Sequence, residues 1–399
     1  MLFKISWKNI VDKKLNSFLC ILLMTLGIAM ISLLMLLGKQ LQDKFAKNIS
    51  GIDLVVGAKG SPLQLILSSV YQIDNPTGNI YLEDVQAIAQ NPLVKEMIPL
   101  SMGDNFQGYR IVGTNKKYFE HFKTQFESGK MFKSNLEVVL GGQTAANTNL
   151  KVGDTFASSH GLDSEGEKHA ERNYKVVGVL EFNNSVVDNL ILTSLGSVWS
   201  IHEKHAEGET HPEEDSTERK EITSAIIKFR SPMGMMAMPR NINQNSKLQA
   251  AVPAIEVNRL FELLGIGIEG LQFLAAVIML ISGISVFVSL YNSLKERKYE
   301  MALMLSMGAS RTRLFLMLLL EGIILSFLGF VAGILLSRIG IYLISNALNK
   351  KFHMNVSQFG LQIGEIYLFI GALLVGILAA SIPSIGIYRI NISKTLATE

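Results

Sequence analysis

The stretch LVVGAKGSPLQ at residues 54–64 runs from apolar side chains into two glycines, a lysine and a serine. This order is typical of a strand that leads into a phosphate-binding loop. A Walker A loop has the pattern G-x-x-x-x-G-K-[ST], in which the lysine follows the second glycine and reaches the outer phosphates. Here Lys59 precedes Gly60, and Pro62 removes a backbone donor where the phosphate-cradling helix would begin. We therefore interpret this stretch as a glycine-rich turn at the edge of a domain, and no other stretch of the sequence fits Walker A.

Histidines are concentrated in polar sequence, since five of the seven fall within residues 160–211. Residues 202–221, HEKHAEGETHPEEDSTERKE, have almost no apolar side chains, which predicts a mobile, solvated loop containing His202, His205 and His211. Histidines mixed with carboxylates suit zinc or a related ion. Their spacing does not match a rigid ligand set, so a charged insertion that binds no metal is the alternative interpretation.

The remaining reactive residue types indicate little catalytic chemistry. A methionine cluster suits either a soft ion such as Cu(I) or a flexible apolar contact, and comprises Met233, Met235, Met236 and Met238. Cys20 is the single cysteine, which excludes a disulfide or a cysteine metal site within one chain. The sequence has no G-x-S-x-G, H-E-x-x-H or convincing triad, so we expect a chain without catalytic residues of its own.

Four apolar segments are predicted to cross a membrane, and they determine on which side of it these residues lie. Residues 18–37 carry no charge and as a helix would extend about 30 Å, the thickness of a bilayer core. The other predicted transmembrane helices are residues 271–291, 314–344 and 366–388. Glu321 lies about two turns into the third, where a carboxylate is costly and marks a functional candidate. It either pairs with a neighbouring helix or backbone, or lies close enough to the interface to be hydrated.

Lysine and arginine near the helix ends predict the orientation of the chain. Residues 1–17, 292–313 and the tail 389–399 are basic and are assigned to the cytoplasm, which leaves 38–265 and the loop 345–365 outside. We expect a multi-pass protein of the cytoplasmic (inner) membrane, with Lys59 in a compartment where ATP is scarce. The basic residues follow this topology and form no nucleic-acid patch.

The N-terminal segment and the external domain have recognisable local patterns. Residues 1–17 place apolar side chains among lysines and fit an amphipathic helix on membrane lipid, or else a plain basic flank. Residues 38–265 alternate short apolar runs with helical stretches, which predicts an α+β domain inserted between helices 1 and 2. Its predicted strands are residues 109–114, 137–141, 174–182, 189–194 and 224–229. Residues 252–270 predict a helix that leads directly into the second span.

Residues 292–322, NSLKERKYEMALMLSMGASRTRLFLMLLLEG, form the most distinctive connection. A charged exit precedes a short amphipathic helix, Gly308 is placed to end that helix, and Ser310 is placed to cap the next one. A short methionine-rich helix on the inner face suits a groove of a cytosolic partner. A simple interfacial connector is the alternative.

This segment closely resembles the ERRREIALLRALGAS-type loop of FtsX/MacB-like ABC transporter permeases, the type VII or mechanotransmission class. The matching residues are Glu296, Arg297, Glu300, Ala302, Leu303, Gly308, Ala309 and Ser310, and LLLEG at 318–322 matches the start of the family's third span. The order of one span, a large external domain and three further spans is also the same. Residues 108–119, 136–156 and 174–182 look like the MacB-type external core. One departure is Leu305, where the family usually has arginine.

The resemblance implies an ATPase-coupling surface formed by Glu296, Arg297, Glu300, Leu303, Met307 and Gly308. ATP and Mg would then bind a separate cytosolic ABC ATPase subunit that docks on this loop. It further implies a pair of permease copies, expected to be a homodimer, and a periplasmic adaptor or binding protein is a further candidate partner.

The family contains two classes of function. The leading hypothesis is a permease subunit for export or extraction of an envelope substrate, such as a lipoprotein, a peptide, a drug, haem or a metal-related cargo. The alternative is an FtsX-like signal transmitter that activates a periplasmic hydrolase without transport. A membrane receptor without an ATPase is a third hypothesis, and the motif at 296–310 weighs against it.

Overall fold

The structure is a computed structural model that describes residues 2–159, 168–202, 219–352, 360, 362–392 and 395. The chain divides into two compact units. The helical unit comprises residues 1–42 and 263–399, and the sheet unit comprises residues 43–262.

Long helices dominate the helical unit. The described helices of the whole chain are α1 (Leu2–Asp12), α2 (Lys14–Ile49), α3 (Pro62–Ser69), α4 (Leu82–Ala89), α5 (Lys116–His121), α6 (Gly142–Thr148), α7 (Leu195–His202), α8 (Pro232–Asn245), α9 (Pro253–Glu296), α10 (Lys298–Ser306), α11 (Arg311–Phe352) and α12 (Ile363–Ile385). Within the described residues, α2, α9, α11 and α12 are long and apolar enough to cross a membrane. α2, α9 and α11 contain the first three segments predicted from hydropathy, and the fourth, 366–388, is covered by α12 and the 3-10 helix Gly386–Arg389 that follows it.

The helices extend beyond the predicted spans because hydropathy marks only the apolar part of a helix. After residue 37, α2 continues through GKQLQDKFAKNI, which has good helix formers and no proline. The predicted helix at 252–270 is confirmed, since α9 runs unbroken from Pro253 to Glu296. The predicted loop 345–365 is shorter than expected: α11 continues to Phe352, and α12 begins at Ile363, where Gln362 and Glu365 form a capping box.

Close helix contacts use two glycines of α11. A Cβ at Gly329 would lie 2.7 Å from Met24 Cβ, and one at Gly333 would lie 2.8 Å from Ile28 Cβ. Both distances are too short for a real side chain, so these glycines let α2 approach α11 within one chain. Gly329 and Gly333 therefore serve packing between two helices of the same helical unit.

The sheet unit is built on a mixed sheet. The described strands are β1 (Leu54–Ala58), β2 (Ile80–Tyr81), β3 (Val94–Phe106), β4 (Tyr109–Thr114), β5 (Phe126–Gly129), β6 (Glu137–Leu140), β7 (Thr155–Ser159), β8 (Lys168–Leu180), β9 (Leu190–Ser194), β10 (Glu221–Ile222), β11 (Ser224–Phe229) and β12 (Leu248–Ala251). Strands of the large sheet follow the order β12-β1-β11-β3-β4-β9-β6-β8-β5, and β7 pairs with β3 and β8. The pairs β4–β9 and β6–β8 are parallel, and the other pairs are antiparallel. The five predicted strands overlap β4, β6, β8, β9 and β11, which confirms the expected α+β class.

Both faces of this sheet are covered, which explains why its strands are continuous apolar runs. On β11, Ile226 packs into the cluster around α3 and α5, while Ala225 and Ile227 pack into the cluster with α4 and α8. The same alternation holds along β1, where Val55 faces the first cluster and Val56 the second. These strands therefore pack into a hydrophobic cluster on each face, and a third cluster lies around β4, β6, β7, β8 and β9.

Part of the predicted loop 202–221 is ordered. Glu221 and Ile222 form β10, which pairs with Tyr81 and Ile80 of β2. At the other end, His202 is the last residue of α7. The predicted loop is therefore too long at both ends, because strand pairing and the α7 helix recruit residues that composition alone assigned to it.

Two buried tyrosines of one core should respond oppositely to loss of the hydroxyl. Tyr118 is 0% exposed, and its hydroxyl has no hydrogen-bond partner among the described residues, whereas the Tyr71 hydroxyl donates to the Phe45 carbonyl at 2.9 Å. We expect Tyr118→Phe to raise the free energy of unfolding of the sheet unit by about 1 kcal/mol, and Tyr71→Phe to lower it by a similar amount. Urea unfolding of the full chain, followed by tryptophan fluorescence, measures both. Equal effects of the two changes would contradict this assignment.

Candidate functional site

The connection between α9 and α11 folds as predicted around its short helix. α10 ends at Ser306, and Gly308 follows with φ +94°, a conformation that favours glycine. The Ala309 N–H donates to the Met304 carbonyl at 3.0 Å. The Ser310 side chain accepts from the Arg313 N–H at 3.3 Å, one residue before α11 begins. Both predicted caps are confirmed: Gly308 terminates α10, and Ser310 caps α11.

α10 has one buried and one exposed apolar face. Met301 and Ala302 are 0% exposed and pack with Leu314 and Leu318 of α11. On the other side, Tyr299 is 42% exposed, Leu303 44% and Met307 72%. These three residues are four apart and so lie on one side of the helix. Of the predicted coupling residues, Leu303 and Met307 thus lie on the exposed apolar stripe, and Gly308 is exposed just beyond it.

Both carboxylates of the same connection are paired. Lys13 Nζ lies 2.5 Å from Glu296 Oε2, which joins the α1–α2 junction to the end of α9. Arg297 Nε donates to Glu300 Oε2 at 2.9 Å, within the first turn of α10. Both carboxylates are well exposed, so these ion pairs contribute little to stability and chiefly restrict geometry.

Glu321 is buried and pairs with a neighbouring helix. Its side chain is 3% exposed, and its Oε1 accepts a hydrogen bond from Asn9 Nδ2 of α1. Arg297 Nη1 approaches the same oxygen at 4.0 Å. Of the two interpretations offered by the sequence, these contacts favour a paired carboxylate over a hydrated one. They also bring α1, α11 and the residue directly before α10 together around one side chain.

A second buried carboxylate lies toward the other end of α11. Glu365 is 2% exposed, and its Oε2 lies 2.7 Å from Arg338 Nη2. Its Oε1 accepts from the Ser32 hydroxyl at 2.6 Å, and Ser32 also lies 2.9 Å from the Ser337 hydroxyl. The site therefore joins α2, α11 and α12 through one hydrogen-bonded ion pair, which is the condition for a charge to remain among apolar helices.

The other predicted chemistry is dispersed or undescribed. The stretch at 54–64 does form a strand and a helix, but Lys59 Nζ donates to the Asn243 carbonyl at 3.3 Å. Along α8, Met233 is 67% and Met236 84% exposed, while Met238 is buried, so the four methionines do not converge. His205 and His211 lie outside the described residues, and the side chain of His202 is not described. Among described residues, no group of three His, Cys, Asp or Glu could hold a metal ion.

An open polar cleft lies within the sheet unit. Its volume is ≈ 350 Å³, and its described lining is Ser50, Gly51, Glu96, Glu120, His121, Lys123 and Lys228. Burial lowers the pKa of His121, the Lys228 ammonium lowers it further, and Glu96 acts in the opposite direction. The neutral imidazole therefore favours the folded unit at neutral pH, and that contribution is lost as the pH falls through the folded-state pKa. The cleft mixes both signs of charge and has no catalytic arrangement.

Sequence reasoning missed the partners of the buried charges. Asn9 carries no signal of its own, because an asparagine is ordinary in a basic flank. Glu365 was assigned to a loop, and only its place three residues after Gln362 could have indicated a capping box. Tyr299 could have been found, since it precedes Leu303 and Met307 at helical spacing.

Four helices able to cross a membrane, together with a mixed α+β unit, define a multi-pass membrane protein with a large globular domain. Residues 17–244 match the model of the MacB-like periplasmic core domain, and residues 272–394 match the FtsX-like permease C-terminal domain. The first match alone covers more than half of the chain. The chain therefore belongs to the MacB-like, FtsX-type family of ABC transporter permeases, which are multi-pass proteins of the inner membrane.

Curated relatives are longer than this chain. The macrolide export ATP-binding/permease protein MacB of Neisseria meningitidis is 21% identical over all of this chain and 61% of its own length. The pyoverdine export ATP-binding/permease protein PvdT of Pseudomonas syringae is 22% identical over 99% of this chain and 59% of its own length. The chain thus spans about three fifths of these relatives.

Solved structures of external domains also match. The periplasmic region of MacB from Actinobacillus actinomycetemcomitans covers 55% of this chain and 98% of its own, at 15% identity and a TM-score of 0.35. The extracellular domain of the noncanonic ABC-type transporter YknZ from Gram-positive bacteria covers 50% of this chain and 98% of its own, at 14% identity and a TM-score of 0.29.

The two faces of α10 should tolerate substitution differently. We expect Met301→Ala to destabilise the helical unit by about 2–5 kcal/mol, because it leaves a cavity beneath the helix. Met307→Ala, the same change on the exposed face, should alter stability by no more than about 0.5 kcal/mol. Thermal unfolding of the purified chain in detergent measures both. A large loss of stability from Met307→Ala would show that this side chain is packed and not free to dock.

Proposed function

We propose that this chain is the permease subunit of an ABC export complex whose ATP-binding subunits are separate cytosolic chains. The family membership supports the permease role. The relatives named for export, with ATP-binding and permease parts combined, support coupling of an ATPase to this fold. ATP and Mg would bind the ATPase subunits, and this chain would contribute no catalytic group.

The proposed topology follows the distribution of lysine and arginine. Residues 1–17, 292–313 and 389–399 lie in the cytoplasm, and the sheet unit lies outside the inner membrane. The domain limits are those predicted: 38–265 for the external domain, and 271–291, 314–344 and 366–388 for spans 2–4. Two copies pair, as a homodimer, so that two α10 helices present themselves to two ATPase subunits.

The exposed stripe of Tyr299, Leu303 and Met307 is the observation that carries this proposal. An apolar side of a short helix, which Gly308 terminates, fits a groove of a partner protein. Methionine and leucine adapt to the shape of such a groove. The exposed Glu296 and Glu300 flank the stripe and would pair with basic side chains at its rim.

Motion would pass from α10 to the sheet unit through continuous helices. α2 and α9 each run without interruption across the boundary between the two units. ATP binding would draw the cytoplasmic ends of two permeases together, and the external domains would respond without a conventional channel. The work would be export or extraction of an envelope substrate, from the classes of lipoprotein, peptide, drug, haem or metal-related cargo.

Charge placed on the stripe should abolish docking. We expect Leu303→Glu and Met307→Glu to lose the co-purifying ABC ATPase and its ATP hydrolysis, because each buries a carboxylate in an apolar groove. Gentle purification from native membranes, mass spectrometry and an ATPase assay measure the loss. Lys298→Glu is the matched control, since it adds the same side chain to an exposed position of α10 that lies off the stripe.

Failure of the wild-type chain to retain any ABC ATPase, under conditions that preserve a dimer, would overturn the proposal. Retention of the ATPase by both stripe variants would instead place the docking surface elsewhere. An envelope hydrolase in the same sample, activated by ATP turnover and with no cargo moved, would indicate the signal-transmitter function in place of export.

The zinc hypothesis for the His-rich loop is part of the same proposal. We expect the chain with His202, His205 and His211 all changed to glutamine to lose a zinc site, because imidazole is the preferred neutral ligand of this ion. Isothermal titration of the purified full chain with zinc measures the site. His121→Gln, a histidine of the sheet unit outside this loop, is the control. Equal zinc binding by wild type and the triple variant would leave the loop as a charged insertion.

A further inference from the structure

Glu321 lies where three separate elements meet. Its Oε1 accepts from Asn9 Nδ2 of α1, and Arg297 Nη1, just before α10, lies 4.0 Å from the same atom. The side chain is 3% exposed, so it is largely withdrawn from water. One carboxylate oxygen therefore faces two donors from different helices.

The two donors are not equivalent. Asn9 is within hydrogen-bond distance, whereas Arg297 Nη1 is buried and makes no hydrogen bond to any described residue. Arg297 is tied to α10 through Glu300 at 2.9 Å. A buried guanidinium nitrogen without a partner is costly, so displacement of Arg297 away from Glu321 is opposed and closure onto it is favoured.

Further contacts attach α1 to the same assembly. The Ser6 hydroxyl donates to the Met317 carbonyl of α11 at 3.0 Å, one turn before Glu321. The Ser17 hydroxyl donates to the Ile10 carbonyl at 2.9 Å across the α1–α2 junction. Lys13 pairs with Glu296 directly before Arg297. α1 is thus held by α11, and the α1–α2 junction is paired with the last residue of α9, directly before Arg297.

We propose that Glu321 is a positioning residue that makes α1 and α10 move as one body, through Asn9 on one side and Arg297 on the other. This rests on the proposed function, in which α10 is the element displaced by the ATPase. α1 then acts as part of the coupling device and not only as an anchor on lipid. Because α1 leads directly into α2, displacement of α10 enters the first long helix as well as α9.

Spin-label distances between the two copies test the proposal directly. In the Cys20→Ser chain, one label is attached at Lys8→Cys on α1 and, in a second sample, at Lys298→Cys on α10; both positions are exposed. Distances are measured in the complex with and without ATP and vanadate. We expect both distances to shift in the wild type. In Glu321→Ala, the distance between the two labels at position 298 should still change with ATP and vanadate. The distance between the two labels at position 8 should no longer change.

Matched variants distinguish a positioning role of Glu321 from a general loss of structure in the helical unit. Glu269→Ala, the same change at an exposed carboxylate of α9, should leave both shifts intact. Asn9→Asp combined with Glu321→Gln keeps one amide and one carboxylate in contact and should restore the Lys8 shift lost in Glu321→Gln alone. If Glu321 had a merely structural role, its substitution would abolish the ATP-dependent distance change at both label positions.

Each outcome has one meaning. A Lys8 shift that persists in Glu321→Ala overturns the positioning role, as does a wild type in which Lys298 moves and Lys8 does not. Absence of any Lys298 shift in the wild-type complex contradicts the proposed docking function instead. Selective loss of the Lys8 shift, with rescue by the exchanged pair, supports the proposal.

Discussion

A carboxylate withdrawn from water into an apolar helical unit requires a partner, and this constraint organises both ends of α11. Glu321 is held by Asn9 and faces Arg297, while Glu365 is held by Arg338 and Ser32. Removing one partner from such a pair typically costs about 3–5 kcal/mol, far more than an exposed ion pair contributes. The partners come from α1, α2, α11 and the residue directly before α10, so the two carboxylates help to specify which helices meet.

This constraint also explains why α10 keeps one apolar face exposed instead of burying it in the helical unit. Met301 and Ala302 anchor its inner face, Arg297 holds its first turn and Gly308 ends it. With those restraints satisfied, Tyr299, Leu303 and Met307 have no space on the inner face and remain exposed. In the proposed docking function, this exposed stripe on a restrained helix would be a preformed surface that loses little conformational entropy when a partner binds.

The sequence predicted elements well where a local pattern determines them. The four apolar segments, the caps at Gly308 and Ser310 and the strands at 109–114 and 224–229 each depend on neighbouring residues only. It failed where structure depends on distant residues. Asn9 and Glu321 are 312 positions apart, and Ser32 and Glu365 are 333 apart, so no window of sequence contains both members. β3 was also missed, because the proline and glycine in VKEMIPLSMGDNF suggest a loop, whereas pairing with β11 and β4 holds the strand together.

The glycines of the long helices in the helical unit differ in whether close packing requires them. At Gly329 and Gly333 the backbone of α11 contacts Met24 and Ile28 of α2, so the absence of a side chain is required by packing. At Gly265, Gly267 and Gly270 of α9, an added Cβ would meet no described atom within 4 Å. Each of these costs the helix about 0.5–1 kcal/mol relative to alanine with no packing gain in this chain. At these three positions, residues 265–270 of α9 therefore combine low helix propensity with no contact that requires glycine.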